Sequence, residues 1–269
     1  MRIKQLTFCI VLMTAFAGCG PQPQEAVQTV TEEIDYYENI IPELKACIMA
    51  HGGLDKWRSY GTLEYDRRPT NGGDHQLIDL YSRKVLLKND TAYTIGYDGK
   101  EVWITPDMET MKNPRFFHNL YFYFFSFPFV VADPGSIQEY LGETTFNGKN
   151  YKKIKITYGD GVGDAPEDQY ILWIDAETNL LDFINYSVTY FDASRAERYN
   201  ALDYSGWEQV NGMTVPNEFT SYRWENDSLG EKRGVTKFEN ITFTKEQPEG
   251  AIFEMPEGAM IDKLDSETE

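Results

Sequence analysis

Ile137-Gln138-Glu139-Tyr140-Leu141-Gly142-Glu143-Thr144-Thr145, then Phe146-Asn147-Gly148-Lys149-Asn150, then Tyr151-Lys152-Lys153-Ile154-Lys155-Ile156-Thr157-Tyr158: two strand-like runs joined across Asn-Gly. Such a pair supplies the positive φ angles that a tight type I′ hairpin turn needs. Asp98-Gly99 and Asn211-Gly212 lie between strand-like runs in the same way. Working outward from these turns, a period-two pattern holds from residue 62 onward. It predicts strands over Thr62–Arg68, Gln76–Lys88, Ala92–Tyr97, Glu101–Thr105, Ile137–Thr145 and Tyr151–Tyr158. Further strands are predicted over Gln169–Ile174, Leu180–Phe191, Tyr199–Trp207, Glu218–Trp224 and Val235–Phe243. About eleven hairpin-linked strands with only two helical stretches predict a mainly β protein. The expected architecture is an open antiparallel half-barrel with helices covering its apolar concave face. No internal repeat is visible.

Ahead of the strands, Ile34, Tyr37, Ile41, Leu44 and Ile48 recur at spacings of three and four, with Pro42 among them. Proline in a first turn and glycine past the end predict a helix over Pro42–Ala50 stopped by Gly52-Gly53, with a further turn over Leu54–Ser59.

The N-terminus reads as an export signal. Arg2 and Lys4 give a positive start, and Leu6–Ala17 an apolar run too short to span a bilayer. Phe16-Ala17-Gly18-Cys19 resembles the lipobox of bacterial lipoproteins. Residues 1–18 are therefore expected to be removed and Cys19 to carry the lipid, which would tether the protein to a membrane. Residues 19–40, opening with Gly20-Pro21-Gln22-Pro23-Gln24, read as a flexible tether. Residues 41–264 read as a single β domain and 265–269 as a tail. The expected location is the cell envelope, at the outer membrane facing the periplasm.

With Cys9 in the signal and Cys19 acylated, Cys47 has no disulfide partner, so the fold must stand on its core. At 41% hydrophobic and 14% aromatic residues the chain can build one. The net charge is −18, and loss of Arg2 and Lys4 with the signal takes it to about −20. This argues against nucleic acid and against broad contact with anionic lipid surfaces.

The most unusual segment is Phe116–Phe129, in which nine of fourteen residues are aromatic. At roughly 1.5–3 kcal/mol for each large apolar side chain buried, exposing half of them would cost on the order of a domain's whole stability. Three readings stand: a plug that fills the core, a wall of a cavity for an acyl chain or other apolar ligand, or a docking face for a membrane or partner. On the cavity reading, the candidate ligand-binding residues are Trp57, Trp103, Phe117, Tyr121, Phe124, Phe125 and Trp173.

Several motifs together resemble a known group. His51-Gly52-Gly53-Leu54-Asp55-Lys56-Trp57, the aromatic block running into Pro128-Phe129-Val130-Val131-Ala132-Asp133-Pro134-Gly135, and Gln169-Tyr170-Ile171-Leu172-Trp173-Ile174-Asp175 look like an uncharacterised bacterial lipoprotein family of the lipoprotein-carrier superfamily. Asn211-Gly212-Met213-Thr214-Val215-Pro216 and Phe253-Glu254-Met255-Pro256-Glu257-Gly258-Ala259 are similar to the closing hairpin and exit of the LolA- and LolB-like fold. The resemblance spans nearly all of the mature chain. It implies a half-barrel of about eleven strands whose concavity, in the carriers, accepts the acyl chains of lipoproteins. Acylation of this chain itself fits a membrane-tethered acceptor better than a soluble shuttle.

No pattern points to catalysis. His51, His75 and His118 are not at ligand spacing, and there is no HExxH, Gly-x-Ser-x-Gly or phosphate loop. No metal or cofactor is expected. His51, at a helix end, reads as a cation at the C-terminal dipole, and Cys47 as inert packing. Residues 159–168 place four carboxylates in a Gly-rich turn. The turn matches no standard calcium loop and reads as a solvated connection, with a calcium site as the alternative. The four Asn-x-Ser/Thr sequons, at Asn89, Asn185, Asn226 and Asn240, carry no assignment.

The function expected is non-catalytic binding of a lipid, acyl chain or lipopeptide by a membrane-anchored protein. The alternatives are an envelope lipoprotein with a self-filled core that works through its exterior, and third an enzyme.

Overall fold

A computed structural model describes residues 35–89, 91–159 and 161–264. The signal peptide, Cys19 and most of the tether lie outside the described residues. The fold described below belongs to the compact unit Tyr36–Glu269.

Thirteen strands form one antiparallel sheet. They are β1 (Thr62–Pro69), β2 (Asp74–Asp79), β3 (Val85–Lys88), β4 (Thr94–Tyr97), β5 (Val102–Thr105), β6 (Ser136–Phe146), β7 (Lys149–Tyr158), β8 (Tyr170–Asp175), β9 (Leu181–Tyr186), β10 (Asn200–Val210), β11 (Met213–Glu225), β12 (Ser228–Thr244) and β13 (Met260–Asp262). The order across the sheet is β13-β5-β4-β3-β2-β1-β12-β11-β10-β9-β8-β7-β6, and β13 and β6 do not pair, so the sheet stays open. The mainly β, open half-barrel architecture is as expected; the strand count is thirteen.

The differences have local causes. The run Gln76–Lys88 is two strands, because Asp79 ends the first. Its carboxylate accepts the backbone N–H groups of Tyr81 (2.9 Å) and Ser82 (3.2 Å), an Asx-type turn, and Arg83 turns the chain at φ 61°. Asn147-Gly148 (φ 49° and 80°) and Asn211-Gly212 (φ 53° and 79°) form the expected two-residue turns. At Asp98-Gly99 only the glycine has positive φ. Four residues separate the paired Tyr97 and Val102, and Asp98 caps the loop through the N–H groups of Lys100 and Glu101. The turn between β11 and β12 is Asn226-Asp227, both left-handed.

The helices are α1 (Pro42–Ala50), α2 (Leu54–Trp57), α3 (Pro114–Phe117), α4 (Leu120–Phe125) and α5 (Phe127–Val130). The first has the expected bounds. The aromatic block is three short helices, broken at His118-Asn119 and at Ser126, where Pro128 cannot continue the hydrogen bonding of α4. Tyr36, Tyr37 and Ile40, read from the sequence as tether, pack against the core, and the Tyr37 hydroxyl accepts the N–H of Leu54 at 2.7 Å.

Alternate residues of the inner strands face two layers. Leu172 and Ile174 of β8, Val102 and Ile104 of β5, and Val85 and Leu87 of β3 share a core with α1 and with Phe122, Phe125, Phe127 and Phe129. Trp173 and Phe183 on the other face form a separate aromatic cluster with Tyr151, Phe146 and Trp224. Trp103 and Leu86 pack under the C-terminal arm at Phe253, where Trp103 Nε1 donates to the Phe253 carbonyl at 2.9 Å. At Gly96 a Cβ would stand 2.2 Å from the Trp103 ring, so only glycine allows that indole to lie across β4.

Candidate functional site

The aromatic block does two jobs on two sides. Its inward rings fill the core: Phe125 stacks on Tyr65 with centroids 4.9 Å apart, and Phe129 stacks on Trp57 at 4.5 Å, planes 7° apart. Its other side borders a cavity of about 410 Å³. Phe116, Leu120 and Tyr123 form the helical wall together with Phe124 and Phe127, two rings of the core cluster that also border the cavity. Tyr158 of β7, Tyr170 of β8 and the loop from Val162 to Asp168 also line it, as do Tyr97, Tyr190, the β2–β3 turn and the polar side chains Arg115, His118, Asn119 and Asp133. The volume lies within the range of small-molecule sites.

The polar groups of this cavity are mostly held. Arg115 donates from Nε and Nη2 to Asp164 at 2.7 and 3.0 Å. Asp168 accepts the N–H and the hydroxyl of Thr189 at 2.6 and 2.7 Å. Two of the carboxylates in the acidic loop are thus already paired to protein groups, and among the described residues no cluster of His, Cys, Asp and Glu suits a metal ion. Asn119 Oδ1, also in the lining, is buried and accepts no hydrogen bond among the described residues.

Electrostatics report the medium. Burial raises the carboxyl pKa values of Asp133 and Asp168, against the pull of Arg83 and Arg58 on the first and of Thr189 on the second. Burial likewise lowers His118 and raises the phenols of Tyr123, Tyr158 and Tyr170. Each of these groups is pushed toward its uncharged form, as expected for a poorly hydrated space.

A second cavity, about 340 Å³, adjoins the first, and Arg83, Asp133 and Pro134 line both. Trp57, Tyr36, Tyr60, Tyr81, Leu80 and Arg58 complete its lining.

The candidate residues divide accordingly. Phe124 lines the larger cavity and Trp57 the smaller. Phe125 is a core residue. Tyr121 lies over the guanidinium of Arg67 at 4.1 Å, which is itself in a buried pair with Asp74. Phe117 packs edge-on against Phe116. Trp103 and Trp173 sit on the opposite face of the sheet and border neither cavity. What sequence reasoning missed is the non-local part: Arg83, Asp133, Tyr158 and Tyr170.

His51 is not the exposed cation expected at a helix end. It is fully buried. Its Nδ1 lies 2.9 Å from the Thr214 carbonyl and its Nε2 accepts the Leu181 N–H at 3.1 Å. That fixes the neutral ring with its proton on Nδ1, and burial lowers its pKa to about 4. Cys47 is buried, and burial raises its thiol pKa to about 12.

A model of a family of unknown function (DUF6503) matches residues 96–202, a stretch that holds the aromatic block, the acidic loop and most of the lining of the larger cavity. No curated protein matches the chain in sequence. A DUF1329 family protein from Desulfovibrio piger superposes with a TM-score of 0.52 at 12% identity, over 79% of this chain and 95% of that one. The two chains share a fold. A LolA superfamily protein from Nitrosomonas europaea aligns with TM-score 0.46 at 10% identity, over 72% and 88% of the two chains. A putative outer membrane lipoprotein-sorting protein domain from Vibrio parahaemolyticus aligns at 0.42 and 10%, over 70% and 86%.

Proposed function

We propose that this protein is a cell-envelope lipoprotein, anchored through Cys19 at the outer membrane and facing the periplasm, that binds a lipid or similar apolar ligand without catalysis. The observation that carries the reading is the 410 Å³ cavity walled by the outer rings of the aromatic block. A core plug needs only the inward side of that segment; here the outward side is kept apolar around open space. Six titratable groups at its border are pushed toward neutral forms, which suits an apolar guest and disfavours a charged one deep inside.

Native mass spectrometry with lipid extraction, on the chain from Gln22 onward, tests this. The reading expects a stoichiometric apolar adduct in the wild type and its loss in Ala165→Trp, where an indole would occupy the cavity. Clean protein that also ignores added fatty acids and lipopeptides would favour the self-filled alternative.

A further inference from the structure

The smaller cavity holds two arginines and one acid. Arg58, the residue after α2, and Arg83, at the left-handed turn between β2 and β3, converge on Asp133. Arg83 Nη2 donates to it at 2.6 Å, while Arg58 Nη2 stands 3.8 Å away. Among the described residues Asp133 is the single acidic side chain in that lining, so there two guanidinium groups share one carboxylate. Arg58 Nε and Arg83 Nη1 are buried and donate to no acceptor among the described residues. Buried guanidinium N–H groups rarely go unmatched, because leaving one unsatisfied costs its desolvation. Aromatic rings set the two planes: Tyr36 lies 4.7 Å from the Arg58 guanidinium carbon and Phe122 lies 5.5 Å from that of Arg83. In a chain of net charge −18, a pocket with a cationic excess is out of keeping with the rest of the surface.

Its place matters as much as its charge. Arg83, Asp133 and Pro134 form the boundary with the larger, aromatic-walled cavity. In that cavity the cation Arg115 is already engaged by both oxygens of Asp164. A molecule lying across the boundary would meet rings on one side and guanidinium donors on the other.

We propose that Arg58 and Arg83 hold the anionic head, a phosphate or a carboxylate, of an amphipathic ligand whose apolar part occupies the 410 Å³ cavity. This rests on the binding function proposed above and specifies its ligand class. Guanidinium suits either head because its fixed donors match two oxygens at once. Asp133 holds the pair together in the free protein and competes with the ligand for it.

The test is calorimetric titration of the chain from Gln22 onward, which retains the whole compact unit Tyr36–Glu269. The probes are oleate, monoolein, lysophosphatidylglycerol and inorganic phosphate. Oleate and monoolein share an acyl chain and differ in head charge, and inorganic phosphate supplies the anion alone. The expected result is that oleate or lysophosphatidylglycerol binds at least tenfold more tightly than monoolein, the equivalent of one charge-assisted hydrogen bond. Whichever of the two binds more tightly identifies the head. Arg58→Gln and Arg83→Gln should each remove about tenfold for the anionic probe and leave monoolein unchanged. Asp133→Asn, which removes the competing carboxylate, should tighten the anionic probe; a merely structural role for these arginines would not produce that gain, and it stands even if Arg83→Gln fails to fold. Equal affinity for oleate and monoolein, unmoved by these variants, overturns the head-group assignment while leaving the apolar site intact. Inorganic phosphate binding as tightly as the lysolipid overturns the amphipath in favour of a simple anion site. No binding of any acyl probe overturns both readings.

Discussion

Replacing His51 with glutamine tests how the N-terminal helix is tied to the sheet. The imidazole spans from α1 to two strands, donating to Thr214 of β11 and accepting from Leu181 of β9, with no solvent access. At pH 7 the ring is neutral in the folded chain and about three-quarters neutral in the unfolded one, so it adds little pH dependence there. Below its ordinary pKa of 6.5 the unfolded chain takes up a proton that the folded chain refuses until about pH 4. Stability therefore falls as pH falls through that window. At about 1.4 kcal/mol per pH unit, the loss from this one group approaches 3 kcal/mol by pH 4. Protonation would also turn Nε2 into a donor facing the Leu181 N–H. His51→Gln can keep only part of the bridge, so it should cost about 1–3 kcal/mol at pH 7 while removing that slope. Urea unfolding of wild type and variant, followed by tryptophan fluorescence from pH 7.5 to 4, measures both. The gap between the two should close as pH falls and vanish between about pH 6 and pH 4, sooner the smaller it is at pH 7. A gap that stays constant over the whole range would refute the buried neutral imidazole.

Three further outcomes follow from packing. Cys47, buried and with its thiol pKa raised to about 12, should resist a thiol reagent in the native protein and react promptly in denaturant; rapid native reaction would show that α1 opens. Gly96→Ala should cost at least about 1–3 kcal/mol, because its Cβ displaces the Trp103 indole, and it should loosen the C-terminal arm at Phe253; unchanged melting and unchanged proteolysis of residues 250–264 would contradict this. Phe129→Ala should cost about 3–5 kcal/mol through the lost stack on Trp57 while leaving the lining of the larger cavity unchanged, so loss of apolar-ligand binding in variant protein that is still folded would count against the division between core side and cavity side.

How much of this was legible depended on whether the signal was local. The turns at Asn147-Gly148 and Asn211-Gly212 were readable because left-handed backbone has few tenants, and α1 because proline and the glycine pair mark its ends. Asn226-Asp227 adopts the same left-handed pair without a glycine, and Asp79 ends β2 by a side-chain cap inside an apolar run, so neither announced itself. The three residues of β13 are too few to show a period. The aromatic block was legible as something that must be buried, but which ring faces core or cavity depends on the breaks at His118-Asn119 and Ser126. Trp103 and Trp173 sat among apolar neighbours on both sides, since β5 and β8 are covered on both faces, and period two cannot name a face when both are apolar. The arginine pair was invisible because Arg58 and Arg83 meet Asp133 only through the fold.

The most direct test of the central claim is where an apolar ligand touches the chain. A fatty acid carrying a diazirine near the end of its acyl chain, photolysed with the protein from Gln22 onward and mapped by peptide mass spectrometry, should label Leu120, Tyr123, Phe124 and Val162, the apolar lining of the larger cavity, and should be displaced by unlabelled ligand. Labelling that falls instead on the Trp173–Trp224 cluster or on the exposed side chains Ile137 and Leu141 of β6, with the aromatic block untouched, would contradict it.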